Sequence, residues 1–172
     1  ALRRVDRGEV NEGAVRQINQ FYVMARVEAP HLKLSPPSGA MLSILRGSEA
    51  TVRTSEPQIK LGRCMREAGF EHDLEVSPFA IREDLRRLDI DDDFLSIDFA
   101  NVKKRVAIEF NGPSHYLHDG SENGRTVAKR RFLKRLGWRT GSVFWGDWRE
   151  AEIRGKTEEG VGAKEMLEIA LG

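Results

Sequence analysis

Two carboxylates and one lysine stand out in this chain for where they fall. Asp98 lies in FLSIDFA (94–100), where Leu95, Ile97 and Phe99 alternate with Ser96 and Asp98. Glu109 lies in RVAIEFN (105–111), where Val106, Ile108 and Phe110 alternate with Ala107, Glu109 and Asn111. Alternation with period two marks half-buried strands, so each strand carries one carboxylate on its more polar face. The short connection Asn101 to Lys104 suits an antiparallel hairpin. Lys129 falls in a helix running from Arg125 to Leu136, within the arc formed by Ala128, Phe132, Leu133 and Leu136. An ammonium aimed at a core needs a counter-charge or a route to water. Lys129 therefore either snorkels past the helix end or reaches Asp98 and Glu109, and the second is expected because the two carboxylates otherwise lack a partner.

The outer side of the same helix carries a different chemistry. Arg130, Arg131, Lys134 and Arg135 lie off the apolar arc, and residues 123–139 hold seven Lys and Arg with no acid. With Lys103, Lys104, Arg125 and Arg139 they form a candidate phosphate-contacting surface. Tyr116, Trp138, Trp145 and Trp148 are near in sequence and offer either stacking surfaces for unpaired bases or core. At least two of the four are expected in the core, and Tyr116 and Trp145 are the candidate contacts.

Other chemistry-bearing patterns carry less. Asp91, Asp92 and Asp93 read as a solvated loop, since no Gly and Glu follow at calcium-loop spacing. His115 and His118, with Asp119, have spacing that suits a helix but sit in a glycine-rich loop with no cysteine nearby, which argues against zinc. Gly112, Gly120 and Gly124 are turn residues.

The elements that must position these residues are readable. Val15, Ile18, Tyr22 and Ala25 give helical spacing over 10–29, stopped by Pro30. A breaker-rich loop through Pro36, Pro37 and Gly39 leads to a short helix over Met41 to Leu45. Ser55-Glu56-Pro57 starts the best-signalled helix, and Gly69 ends it. A third strand is expected over Trp138 to Trp148, then a linker (RGKTEEGVG) and a short terminal helix (AKEMLEIAL). The expected division is an N-terminal helical extension over 1–54, a domain over 55–150, and a C-terminal linker and helix over 151–172.

Composition bounds the rest. The chain has 172 residues, 40% of them hydrophobic, enough for a core, so wholesale disorder is excluded. Its single cysteine, Cys64, excludes an internal disulfide framework and fits a reducing compartment or an organelle interior. No apolar run approaches a membrane span and no signal peptide is evident at the start, so no membrane association is expected. The net charge of +1 hides a dipole: residues 71–98 hold ten Asp and Glu against three Arg, whereas 99–149 hold eleven Lys and Arg against four Asp and Glu.

VAIEFNGPSHY (106–116), NGRTVAKRRFLKRLGW (123–138) and SVFWGDW (142–148) together resemble the RAP domain, found in apicomplexan, algal and plant organellar proteins and in the mitochondrial Fas-activated serine/threonine kinase family. The resemblance covers about 55 to 172, and VRQINQFYVMAR resembles the helix that often precedes the domain. Such proteins usually carry helical repeats upstream. Their absence, with the missing initiator Met, makes a shortened or truncated member the expectation.

The resemblance implies an α/β fold of the restriction-endonuclease-like type: a small mixed sheet flanked by helices, with the N-terminal helices as an extension. It implies binding of structured RNA in an organelle, a mitochondrion first and a plastid as the alternative. Organellar rRNA and ribonucleoprotein or mitoribosomal proteins are the implied partners, with RNA processing as the other role. Nucleases of that fold hold Mg²⁺ with an Asp and a Glu-x-Lys on neighbouring strands. Carried over, Asp98 and Glu109 are the metal-binding carboxylates, and Asn111 stands where the lysine belongs. Lys129 is then a lysine moved onto the helix, and His115 a second candidate base. Asn111 weighs against an active Mg²⁺-dependent endoribonuclease, so no cofactor is expected unless that alternative holds. The remaining alternative is a protein-interaction module using the acidic stretch 71–98.

Overall fold

A computed structural model describes residues 12–47, 54–88, 95–154 and 167–168. Helix α1 (Glu12–Glu28) leads to α2 (Gly39–Gly47) and α3 (Glu56–Glu67). Ser55 caps α3 by accepting the amide of Gln58, Pro57 occupies its first turn, and Gly69 leaves the helix at a φ of 85°. Two strands follow, β1 (Asp73–Val76) and, after a pair of short 3-10 helices, β2 (Ile97–Asn101). Then come β3 (Val106–Asn111), α4 (Gly124–Leu136), β4 (Arg139–Phe144) and α5 (Trp145–Ile153).

The sheet has the order β1-β2-β3-β4. β1 with β2 and β2 with β3 are antiparallel, while β3 with β4 is parallel. A parallel pair cannot be closed by a tight turn, and α4 supplies the crossover. Asn123 caps its start and Gly137, at a φ of 102°, ends it. This is the mixed α/β architecture expected, with helices ahead of the sheet.

Alternation along the strands sorts the core to two sides. Ala100 and Ala107 pack with Phe132, Leu133 and Leu136 of α4, and their small side chains let the helix lie close to the sheet. Phe99, Ile108 and Val143 pack instead with Leu61 and Met65 of α3 and Trp148 of α5. Gly62 permits that approach, since a Cβ there would stand 3.1 Å from both the His72 and Phe99 rings. No helix among the described residues is long and apolar enough to cross a membrane.

Three details differ from the sequence reading. β1 was not expected: four residues with two acids, one of them, Glu75, at a φ of 52°, give no clean alternation. The third strand stops at Phe144, and Trp145 opens a helix with Asp147 in its first turn, a favourable charge for the helix dipole. In α1 the buried stripe is Val15, Asn19 and Val23, while Ile18, Tyr22 and Ala25 are half-buried. Val23 joins the core formed by Phe132 and Trp138, so α1 shares a core with the sheet and α4. Asp91 to Asp93, most of the linker and most of the terminal helix lie outside the described residues.

Candidate functional site

The β2–β3 register pairs Phe99 with Ile108, and one step further places Asp98 across from Glu109. There the backbone ladder gives way to side chains: the Phe110 amide donates to Asp98 Oδ2 at 2.6 Å. Lys129 comes over from α4 and donates to Glu109 Oε2 and to the Ser96 carbonyl, both at 2.6 Å. The Lys129 and Glu109 side chains are 12% and 11% exposed. Lys129 therefore does not escape to water; it is the counter-charge of a buried carboxylate.

A third carboxylate completes the group. Glu75 accepts from Gln58 Nε2 and from Ser96 Oγ, each at 2.8 Å, and so ties β1 to the start of α3 and to the entry of β2. Glu75 carries no sequence signal, because in an acidic run it reads as a solvated residue. Burial is the main force on Asp98 and pushes its carboxyl up to about 8, with the Glu109 charge adding to it and Lys129 and the Phe110 amide opposing it. Burial also raises Glu109, against the pull of Lys129.

Asp98, Glu109 and Lys129 border a cleft of about 640 Å³ between the end of β3, residues Thr140 to Ser142 of β4 and the starts of α3 and α4. Arg125 and Arg130 stand on its α4 side, and Trp145 and His115 also line it. The loop 112–123 is held by Asn123, whose amide donates to the His115 carbonyl at 2.9 Å and whose Nδ2 donates to the Ser114 carbonyl at 2.7 Å. His115 Nδ1 lies 3.1 Å from Thr126 Oγ1. Burial, followed by the charges of Lys129 and Arg125, lowers the pKa of His115 and favours the neutral ring.

The basic residues divide into groups rather than forming one patch. Arg125 and Arg130 belong to the cleft, and Arg130 is paired with Glu122 at 2.6 Å. Arg131 is engaged by Glu28 of α1 through two hydrogen bonds of 2.7 and 2.9 Å. Lys134 and Arg135 are exposed at the far end of α4, while Lys103, Lys104 and Arg139 are exposed where β3 and β4 begin. From Arg125 to Arg135 the helix rises about 15 Å at its usual pitch. Trp138 and Trp148 are core. Tyr116 meets Phe144 edge-on with ring centres 4.9 Å apart, and Trp145 lies under the Arg149 guanidinium at 5.2 Å.

Residues 108–159 match the RAP domain family. This segment is a RAP domain. A RAP domain-containing protein named as chloroplastic, from Oryza sativa subsp. japonica, is 33% identical over 61 residues, which is 35% of this chain. The aligned part is 10% of that relative's length. The RAP domain includes Glu109, Asn111, His115, Lys129 and the whole of α4, whereas Asp98 and Glu75 lie before it.

The donor set of the RAP domain and its neighbours does not fit a resident Mg²⁺. Such an ion needs ionised oxygen ligands in near-octahedral array. Glu109 Oε2 is held by Lys129 and Asp98 Oδ2 by the Phe110 amide. Among the described residues no three His, Cys, Asp or Glu side chains group as a metal site. Asp98, Glu109 and Lys129 are thus brought together as an ion network, with His115 at the rim of the same cleft.

Proposed function

We propose that this chain binds structured RNA inside an organelle, through α4 of its RAP domain and the cleft at the start of that helix. The observation that carries this reading is the placement of α4. Its acid-free sequence runs from cationic side chains on the cleft wall to exposed Lys134 and Arg135 at the other end. Phosphates attract such a surface, and Trp145 offers an aromatic contact beside it. The name of the rice relative supports an organelle and, of the two compartments expected, favours the plastid over the mitochondrion. Docking onto rRNA within a ribonucleoprotein particle is the finer role we propose for this surface.

Among its described residues, the acidic stretch supports a protein-docking role less well. Glu75 and Asp98 are turned into the hydrogen-bond network, and Asp84 pairs with Arg82 at 2.7 Å and Glu83 with Arg86 at 2.9 Å.

Reversing Lys103, Lys104, Lys134 and Arg135 to Glu tests the RNA reading by electrophoretic or anisotropy titration over a range of salt. Affinity should fall, and the salt slope should flatten by about 0.7 per lost phosphate contact on single strands. Unchanged affinity and slope would remove this surface from the interface. Crosslinking to RNA in native extract tests the finer role: one recovered rRNA region supports a ribosomal place, and scattered transcripts a processing factor.

A further inference from the structure

Six cations gather at the end of the sheet where β3 and β4 begin: Lys103, Lys104 and Arg105 of the β2–β3 turn, Lys134 and Arg135 of the last turn of α4, and Arg139 of β4. None of the six lines the cleft. The backbone ties the segments together: the Arg139 amide donates to the Arg105 carbonyl at 2.8 Å, and Asn101 Oδ1 accepts the Lys104 amide at 2.8 Å. All six are exposed, and none forms an ion pair among the described residues. The cations further back on α4 differ, since Lys129, Arg130 and Arg131 are engaged by Glu109, Glu122 and Glu28.

Within the group, Arg105 is the residue that the fold does not explain. Its φ of 54° lies in the left-handed region, which suits Gly or Asn and is unfavourable for a longer side chain. Glu75, at 52°, is the other such residue described, and its carboxylate is held by Gln58 and Ser96. The Arg105 side chain has no such partner among the described residues. Lys134 and Arg135 have a local reason, because cations suit the C-terminal end of a helix. That reason does not extend to Arg105 or to the two lysines beside it. An arginine kept at a strained turn, bare and among other cations, implies an anion outside the chain.

The surroundings select the form of that anion. Across residues 101–106 and 133–139 the single aromatic residue is Trp138, which is buried with its Nε1 donating to the Pro78 carbonyl at 2.8 Å. Unpaired bases are held by stacking, and these segments present no ring for it. The turn and the helix end are fixed by backbone hydrogen bonds, so the array is preset and best fits phosphates already held in register, as in a duplex. On the β1 side the same end carries exposed Glu71 and Asp73, with Asp73 paired to Ala100 of β2, and these acids repel phosphate from that edge.

We propose that this end of the sheet docks the sugar–phosphate backbone of double-stranded RNA across the β2–β3 turn, the start of β4 and the end of α4, with Arg105 as a contact and without reading bases. This rests on the RNA-binding reading above and adds to it the form of the RNA.

The test titrates the full chain with two RNA duplexes of about 16 base pairs and unrelated sequence, and with a single strand of uridines of the same length. Both duplexes should bind alike and more tightly than the strand. Lys103→Gln, Lys104→Gln, Arg105→Gly and Arg139→Gln together should flatten the salt slope by about 0.9 per lost phosphate contact, the value for duplex DNA. By that slope, about two to four lost contacts weaken duplex binding about 30- to 1,000-fold at about 0.15 M salt. Arg105→Gly alone should keep or raise the thermal midpoint, because glycine suits that φ, while flattening the slope by about 0.9. A purely structural arginine would lower the midpoint and leave the slope unchanged.

Wild-type affinity and slope in the fourfold variant overturn this contact; the RNA-binding reading then stands on the wild type's own affinity for RNA. Binding of the uridine strand as tightly as the duplexes, or a marked preference for one duplex, overturns docking of a duplex backbone. No binding of these or of any longer structured RNA overturns both readings. If the fourfold variant fails to fold, Arg105→Gly and Arg139→Gln, each measured alone, decide the matter by the same slope.

Discussion

Replacing Lys129 with Met probes the ion network at its weakest point. Two unit charges 2.6 Å apart attract by about 6 kcal/mol at an effective dielectric constant of about 20. Desolvation of both groups offsets part of this. Removing one partner, however, leaves Glu109 buried and charged with its Oε1 already unpartnered, and that typically costs about 3–5 kcal/mol. Lys129→Met should therefore lose about that much stability at pH 8. At pH 5 the loss should shrink to about 1–2 kcal/mol, because burial already raises the pKa of Glu109 and without Lys129 it takes up a proton readily. The double variant Lys129→Met/Glu109→Gln should recover most of the loss at pH 8, since no buried charge remains on either side. Urea denaturation followed by the fluorescence of buried Trp138 and Trp148 reads all three proteins. A single variant within about 0.5 kcal/mol of wild type at pH 8, or a double variant no more stable than the single, would refute a buried, charge-paired Glu109.

Asp98→Asn keeps an acceptor for the Phe110 amide but removes the titration. The folded pKa of Asp98 lies above its ordinary 3.8, at about 8, so its contribution to stability is complete below pH 3.8 and is lost as the pH rises through 8. The wild type should lose up to about 1.4 kcal/mol per pH unit across that window from this group, and the variant should show a flatter profile; parallel profiles would exclude Asp98 as the source. Gly137→Ala should lower stability by about 1 kcal/mol, read as a fall in the thermal midpoint, because the C-cap of α4 sits at a φ of 102°. Incubation with Mg²⁺ or Mn²⁺ and single-stranded or structured RNA should give no cleavage; cleavage abolished by Glu109→Gln would show that the carboxylates bind a catalytic ion despite Lys129.

Local chemistry made much of the fold legible. The cap at Ser55, the stop at Gly137 and the alternation through Ile97 to Phe99 and Val106 to Phe110 are signals carried by neighbouring residues, and the structure uses them as read. Misreadings arose where a local pattern was ambiguous. Trp145 and Trp148 look like the end of an aromatic strand, yet three residues apart they also fit a helix, and only Trp148 is buried against α3 and the sheet. Glu75 looks like one solvated acid among ten, and its left-handed backbone and its two hydrogen bonds depend on where α3 begins and β2 enters.

The sequence alone determined that Asp98 and Glu109 share a polar strand face, that Lys129 points at a core, and that the positive charge gathers on one helix, because periodicity and charge are properties of neighbours along the chain. Only the tertiary structure decided which of these groups meet. Lys129 chooses Glu109 and the Ser96 carbonyl, Arg131 is held by a helix more than a hundred residues earlier, and the backbone of Arg105 in the β2–β3 turn is joined to that of Arg139. The reason is physical: hydrogen bonds and ion pairs are satisfied by distance in space, and the β3–α4–β4 crossover sets those distances.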